Sequence, residues 1–252
     1  MSPAEPFPLY FPGDARRPFS SEAATRRFAK VAQLEEGGRV LVLGGGSSNE
    51  ASLLLARHFG CSVLAVDVDE ALLAPLRAQA QSLGLEAHVQ VRRVEPESLG
   101  LPEGAFDAIL SHGRLLPLLP TALRTLRPLL AHQGRVGLSW PVRVGRAQPP
   151  AVSTFWEQRL GTSLLLPREL LQLLSQAGFE PESAESLQPS ELDALYRELE
   201  PHLEPAPAEQ ARVLREEVSL FREHPGQAFS YAFIIGRRKE PGERPPSTRD
   251  NG

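Results

Sequence analysis

The sequence predicts a doubly wound α/β fold, a parallel sheet with helices packed on both faces. Three observations carry this expectation. Short apolar runs of strand length alternate along the 252-residue chain with segments of helical periodicity. The first run, residues 40–43, opens directly into Gly44, Gly45 and Gly46, followed by a helical stretch to Phe59. The next run, residues 62–66, ends on a carboxylate, Asp67. Strand, glycine turn, helix, strand and acid open a nucleotide-binding βαβ unit: the turn lets a ligand approach the backbone, and the acid accepts hydrogen bonds from a ribose diol.

Each element has its own signal. Residues 1–19 are rich in proline and aromatics and read either as a surface tail or as a flap over a binding site. Ser20 or Ser21 caps a helix to about Leu34, with Ala24, Phe28 and Val31 on one face. Ser48 or Asn49 caps the helix after the glycines, whose free N–H groups and dipole favour an anionic ligand group. Asp69 caps a helix carrying Leu72, Leu73, Leu76 and Ala80 at helical spacing, and Gly84 ends it. Strands are expected over 87–92, 106–111 and 135–140, with a helix over 121–130 between the last two and a polar loop over 94–104. Residues 141–150 read as a loop and 152–160 as a short helix, and Pro167 opens a helix that Gly178 closes. A sixth strand is expected near 181–187 and the last at 229–237. Between them the pattern departs from a simple repeat. Ser190 to Asp193 resembles a capping box opening one helix, and a second runs over about 208–224, rich in Glu and Arg on its outer face. Residues 239–252 are proline-rich and polar and read as a disordered tail.

Composition limits the function classes. Hydrophobic residues at 41% and charged residues at 23% are those of a globular protein with one sizeable core. A formal charge of -4, without a long Lys/Arg run, argues against a nucleic-acid partner. No apolar stretch reaches membrane-spanning length, and the first residues lack the pattern of a signal peptide, so a cytoplasmic protein is expected. Cys61 is the single cysteine and precedes a buried strand, which suits a structural thiol better than a nucleophile. The six histidines show no metal-ligand spacing.

The ordered motifs resemble one family. The run from Arg39 to Ser48 resembles the first motif of class I S-adenosylmethionine-dependent methyltransferases, and residues 63–67 resemble the second. Residues 91–111, with Glu95, Pro96, Pro102, Phe106 and Asp107, resemble the third motif and the fourth strand. Residues 126–136 are similar to the approach to the fifth strand, and Gln176 to Glu180 to the end of the helix before the sixth. The resemblance covers roughly 20–187 and the last strand. It implies a Rossmann-like, seven-stranded sheet with an antiparallel last strand and a helical insertion over 188–226, near the substrate side. It implies S-adenosyl-L-methionine as cofactor, with contacts carried onto Gly44, Gly45, Gly46, Asp67, Val68, Glu95, Pro96 and Ser111. It also implies methyl transfer to a small-molecule acceptor, with residues 1–19 and the insertion as a lid.

Methyl transfer is an in-line displacement that needs alignment more than a catalytic triad, so a catalytic residue is hard to read from the sequence. His112, just after the fourth strand, is a base candidate or a pocket wall. Arg114 reads as solvated or as a contact for an acidic acceptor, and Trp140 and Trp156 as core or acceptor wall. Tyr196 reads as packing and His58 as surface. The sequence departs from the family at two positions: Val42 stands where an acid is usual, and Ser48 replaces a glycine. These leave open a methyltransferase-like protein that binds or regulates without catalysis. A nicotinamide oxidoreductase fits poorly, because Asn49 stands where its third glycine belongs.

Overall fold

A computed structural model describes residues 18–45, 49–94, 99–112, 119–145, 147–204, 206, 208–226 and 228–240. Seven strands form one sheet: β1 (Arg39–Leu43), β2 (Ser62–Asp67), β3 (Val89–Arg93), β4 (Phe106–Ser111), β5 (Leu130–Arg143), β6 (Phe179–Ser186) and β7 (Phe229–Arg238). Their order is β3-β2-β1-β4-β5-β7-β6. Neighbours run parallel except around β7, which is antiparallel to both β5 and β6. The helices are α1 (Glu22–Val31), α2 (Asn49–Phe59), α3 (Glu70–Ser82), α4 (Leu119–Leu126), α5 (Pro150–Leu160), α6 (Pro167–Gln176), α7 (Pro189–Leu199) and α8 (Ala208–Glu223). The predicted fold class, with its antiparallel last strand and helical insertion, is the observed one.

The caps follow the side-chain chemistry. The Ser21 hydroxyl accepts the Ala24 N–H at 3.2 Å at the start of α1, and Asp69 accepts the Ala71 N–H at 2.9 Å at the start of α3. The capping box predicted at Ser190–Asp193 is corrected. Helix α7 is capped two residues earlier, at Gln188, and begins at Pro189, and Glu191 reaches back to accept the Gln188 N–H at 2.7 Å. Pro189 sets this start, since a missing N–H costs nothing in the first helical turn. The predicted cap at Ser48 falls outside the described residues. So do most of the 1–19 segment and all but Lys239 and Glu240 of the 239–252 tail.

Strand β5 is the larger correction. It continues past the predicted end at Trp140 to Arg143, so residues 141–143 are strand rather than loop. Its pairing with β4 stops at Ser111 opposite Leu138, while its pairing with β7 continues to Arg143 opposite Phe229. The two strands thus overhang the sheet. Pro141 is tolerated there for a geometric reason. The Arg143 N–H points away from β7, to the Leu165 carbonyl at 2.8 Å. Two residues earlier, the nitrogen of Pro141 faces the same way, so its missing donor removes nothing from the β5–β7 ladder. Strand β3 starts at Val89 rather than 87, and α4 occupies Leu119–Leu126 with a 3-10 turn at Arg127–Leu129 in place of one helix over 121–130.

The core lies on both faces of the sheet. Gly137 of β5 has no room for a Cβ, which would fall 2.6 Å from the Phe28 ring and 2.8 Å from that of Phe233. This close approach seats α1 on β5 and β7. At the amino ends of the central strands, the Arg39 guanidinium and backbone N–H both donate to Asp107, tying the starts of β1 and β4 together. Cys61 is buried, and desolvation pushes its thiol up to about 11, which leaves it a structural residue. Among the described residues no helix is long and apolar enough to cross a membrane, and no group of His, Cys, Asp and Glu is placed to hold a metal.

Candidate cofactor and acceptor site

Strand register brings the predicted residues to one edge. Leu43 of β1 pairs with Val66 of β2 and with Ser111 of β4. The next residue on each strand is therefore level: Gly44, Asp67 and His112 line up at the carboxyl edge, where open α/β sheets bind ligands. Gly44 has φ 70°, a left-handed conformation that favours glycine. A Cβ on Gly45 would lie 2.6 Å from the Ala65 Cβ and 3.0 Å from its Cα, so only glycine lets the turn press against β2.

Asp67 is fully buried. One carboxylate oxygen accepts the Asp69 N–H at 3.2 Å, and the backbone carbonyl accepts the Val94 N–H at 3.0 Å. Val68, half-buried beside it, has its carbonyl held by Arg93 Nε at 3.1 Å. These bonds fix the chain on both sides of the acid, and a separate residue, Asp69, caps α3. Val42 is buried between Ala65 and Leu110, so the position where the family usually has an acid is part of the dry core. Ser111 is buried at the end of β4. Gly46, Ser48, Glu95, Pro96 and Arg114 lie outside the described residues.

His112 is 2% exposed, and its ring stacks on Phe233 with centroids 6.3 Å apart. Phe233 in turn stacks on Phe19 at 5.5 Å. Phe19 adopts φ 62°, a strained conformation for a bulky residue, and is buried. Of the aromatic 1–19 segment, this residue is thus drawn into the core against Phe233. Phe19 also lines a cavity of about 350 Å3 between the start of α1, the end of β6 and α7, with Arg27, Glu185, Glu191, Ala194 and Leu195 on its walls. Arg27 and Glu185 pair across it at 2.5 Å.

Beyond the sheet edge, α5, α7 and α8 cover the overhang. The sequence reading of α8 placed its Glu and Arg residues outside, and Glu217 is the exception. It is 1% exposed and accepts the Tyr196 and Tyr231 hydroxyls, each at 2.7 Å, on one oxygen. Its other oxygen faces Arg159 at 3.4 Å. Tyr196 therefore packs, as expected, and also ties α7 to α8. Burial, reinforced by the Glu217 charge, holds both phenols protonated well above their ordinary range. Trp156 is core, packed edge-on against Phe229 at 5.0 Å, and Trp140 is buried in β5. His58 is exposed.

Residues 40–134 match the family described as Methyltransferase domain. An L-histidine 2-aminobutanoyltransferase from Pseudomonas aeruginosa is 32% identical over 104 residues, which are 41% of this chain and 40% of that protein. The chain thus spans well under half the length of that curated relative. Two solved structures share the fold over most of their length. A methyltransferase from Geobacter sulfurreducens, in complex with S-adenosylhomocysteine, has TM-score 0.70 and 18% identity over 90% of this chain and 93% of its own. One from Thiobacillus denitrificans, with the same ligand, has TM-score 0.69 and 17% identity over 87% and 92%. The domain match covers the edge described above, and the structural likeness covers the sheet and its helices. Residues 40–134 thus match a methyltransferase domain, and the chain shares the fold of these two S-adenosylmethionine-dependent methyltransferases.

Proposed function

We propose that this chain transfers a methyl group from S-adenosylmethionine to a small-molecule acceptor. The observation that carries the reading is the alignment of Gly44, Asp67 and His112 at the carboxyl edge, within the matched domain. The residues fit the cofactor. The glycine turn offers backbone without side chains, and the buried Asp67 is assigned to accept hydrogen bonds from the ribose hydroxyls. Val68 packs beside the acid, and Ser111 closes the floor. Gly46 is assigned to the cofactor from the first motif, and Glu95 and Pro96 to the adenine side from the third.

The cofactor supplies an activated methyl group on a sulfonium that leaves readily. The protein's task is alignment and the exclusion of water. His112, buried and stacked on Phe233, is assigned to the wall of the cleft, where it orients the acceptor rather than exchanging its proton with solvent. The cavity beside Phe19 lies at the same edge and has the size of a small-molecule site, which supports a small acceptor. The buried Val42 favours a second reading, a domain that binds the cofactor without turning it over, because no carboxylate there helps hold the cofactor's amino-acid end.

Isothermal titration with S-adenosylhomocysteine tests the first step, and transfer of labelled methyl to a panel of small amines, phenols and acids tests the second. Saturable binding with transfer supports the enzyme. Binding without transfer to any acceptor supports the second reading, and no binding at millimolar ligand sinks both.

A further inference from the structure

The β5–β7 overhang borders a second cavity, of about 330 Å3, separate from the one beside Phe19. Val142 and Val144 at the end of β5, Leu166 at the start of α6, Pro189 at the start of α7, Phe221 of α8 and Phe229 of β7 form its apolar walls. Arg143, Ser186, Gln188 and Ser230 are its polar neighbours, and the Ser230 hydroxyl is turned to the Leu187 carbonyl at 2.8 Å.

Four features make this a ligand site rather than a packing fault. It lies at the carboxyl ends of β5 and β6, which run parallel to β1 and β4, and therefore at the same edge of the sheet as Asp67 and His112. Its volume equals that of about eleven waters of bulk liquid, yet its walls offer such waters few partners. It is too small for a helix of another protein, whose diameter with side chains is about 10–12 Å. Its walls are also fixed in advance. Phe221 and Phe229 pack edge to face with centroids 6.0 Å apart, and the Glu217–Tyr196–Tyr231 bonds lock α7, α8 and β7 around them. A preformed, mainly apolar, small-molecule-sized cavity at the ligand edge is filled favourably by hydrocarbon. Leu187 lines both cavities and stands between them.

We infer that this cavity seats the apolar body of the acceptor, an aromatic bicycle or a hydrocarbon chain of similar bulk. The polar, reacting end of that molecule lies on the Phe19 side of Leu187. The assignment to an acceptor rests on the methyltransferase reading, whereas the affinity for an apolar body is a property of the cavity itself.

The test uses the full chain and the neutral fluorescent probe N-phenyl-1-naphthylamine, with and without saturating S-adenosylhomocysteine. Val144→Trp and Gln188→Trp each place an indole into the cavity, the first from a half-buried position and the second from an exposed one. The expected result is one saturable probe site, occupied together with S-adenosylhomocysteine. Each substitution weakens the probe at least tenfold while leaving S-adenosylhomocysteine affinity within twofold. Absent or unsaturable probe binding overturns the proposal, as does binding that neither variant changes or that S-adenosylhomocysteine abolishes. If the wild-type chain takes the probe at this site but not S-adenosylhomocysteine, the cavity stands and the methyltransferase reading fails.

Discussion

Replacing Glu217 by alanine removes the acceptor for two buried tyrosine hydroxyls and the counter-charge of Arg159. Both hydroxyl bonds are 2.7 Å long and end on the same carboxylate oxygen, and Arg159 lies 3.4 Å from the other. The side chain of Arg159 is 8% exposed, so water reaches the orphaned groups poorly. A buried donor left unmade costs about 1–3 kcal/mol, and removing one partner of a buried charge pair costs about 3–5 kcal/mol. The three orphaned groups share one site and are not additive, so a loss of about 4 kcal/mol is expected. Glu217→Gln keeps the shape and an amide oxygen for the hydroxyls, and should lose only about 1–2 kcal/mol. Urea unfolding followed by tryptophan fluorescence measures both, since Trp156 packs 6.2 Å from the Tyr231 ring. Affinity for S-adenosylhomocysteine should stay within a fewfold in both variants, because the cofactor edge lies on other strands. An alanine variant within about 1 kcal/mol of wild type would show that these bonds do not hold the cap. A glutamine variant as unstable as alanine would shift the weight from the hydroxyls to the Arg159 charge.

Four further outcomes are expected. Asp67→Ala should weaken S-adenosylhomocysteine at least tenfold by titration calorimetry, since a hydrogen bond to a charged group contributes about 1.5–3 kcal/mol; unchanged affinity would mean that the ribose lies elsewhere. Gly45→Ala should destabilise the fold by about 1–3 kcal/mol in urea, because its Cβ meets Ala65 Cβ at 2.6 Å. Stability should fall as pH rises above about 10, the range where tyrosines titrate in the unfolded chain. The folded chain keeps the protons on Tyr196 and Tyr231 that the unfolded chain releases, so the stabilisation is complete below that pH and declines above it. Tyr196→Phe should flatten the decline. Cys61, its thiol raised to about 11 by burial, should react with iodoacetamide at pH 8 far more slowly in the native protein than in urea.

The sequence by itself determined the sheet-and-helix alternation, the glycine turn at Gly44 and Gly45, and the acid at the end of β2. These are local features. A four-residue apolar run, a left-handed glycine and a helix cap two residues after an acid each carry their meaning within one turn or strand. Gly45 shows the limit of that reading. The sequence marks a close approach there, and only the structure shows that the neighbour is Ala65 of β2.

Contacts between distant segments decided the rest. Pro141 looks like the start of a loop until β7 is known to pair beside it, on the side that needs no proline N–H. Helical spacing does not tell Glu216, which is exposed, from Glu217, which is buried. That choice is made by hydroxyls 21 residues before and 14 residues after it in the chain. The stack of His112 on Phe233, and of Phe233 on Phe19, joins the end of β4, the last strand and the entry to α1, three segments with no shared sequence pattern. The overhang cavity arises the same way, from two strands that outrun their neighbours and helices folded back over them. Local patterning specifies which elements form; the fit between elements far apart in sequence specifies what they enclose.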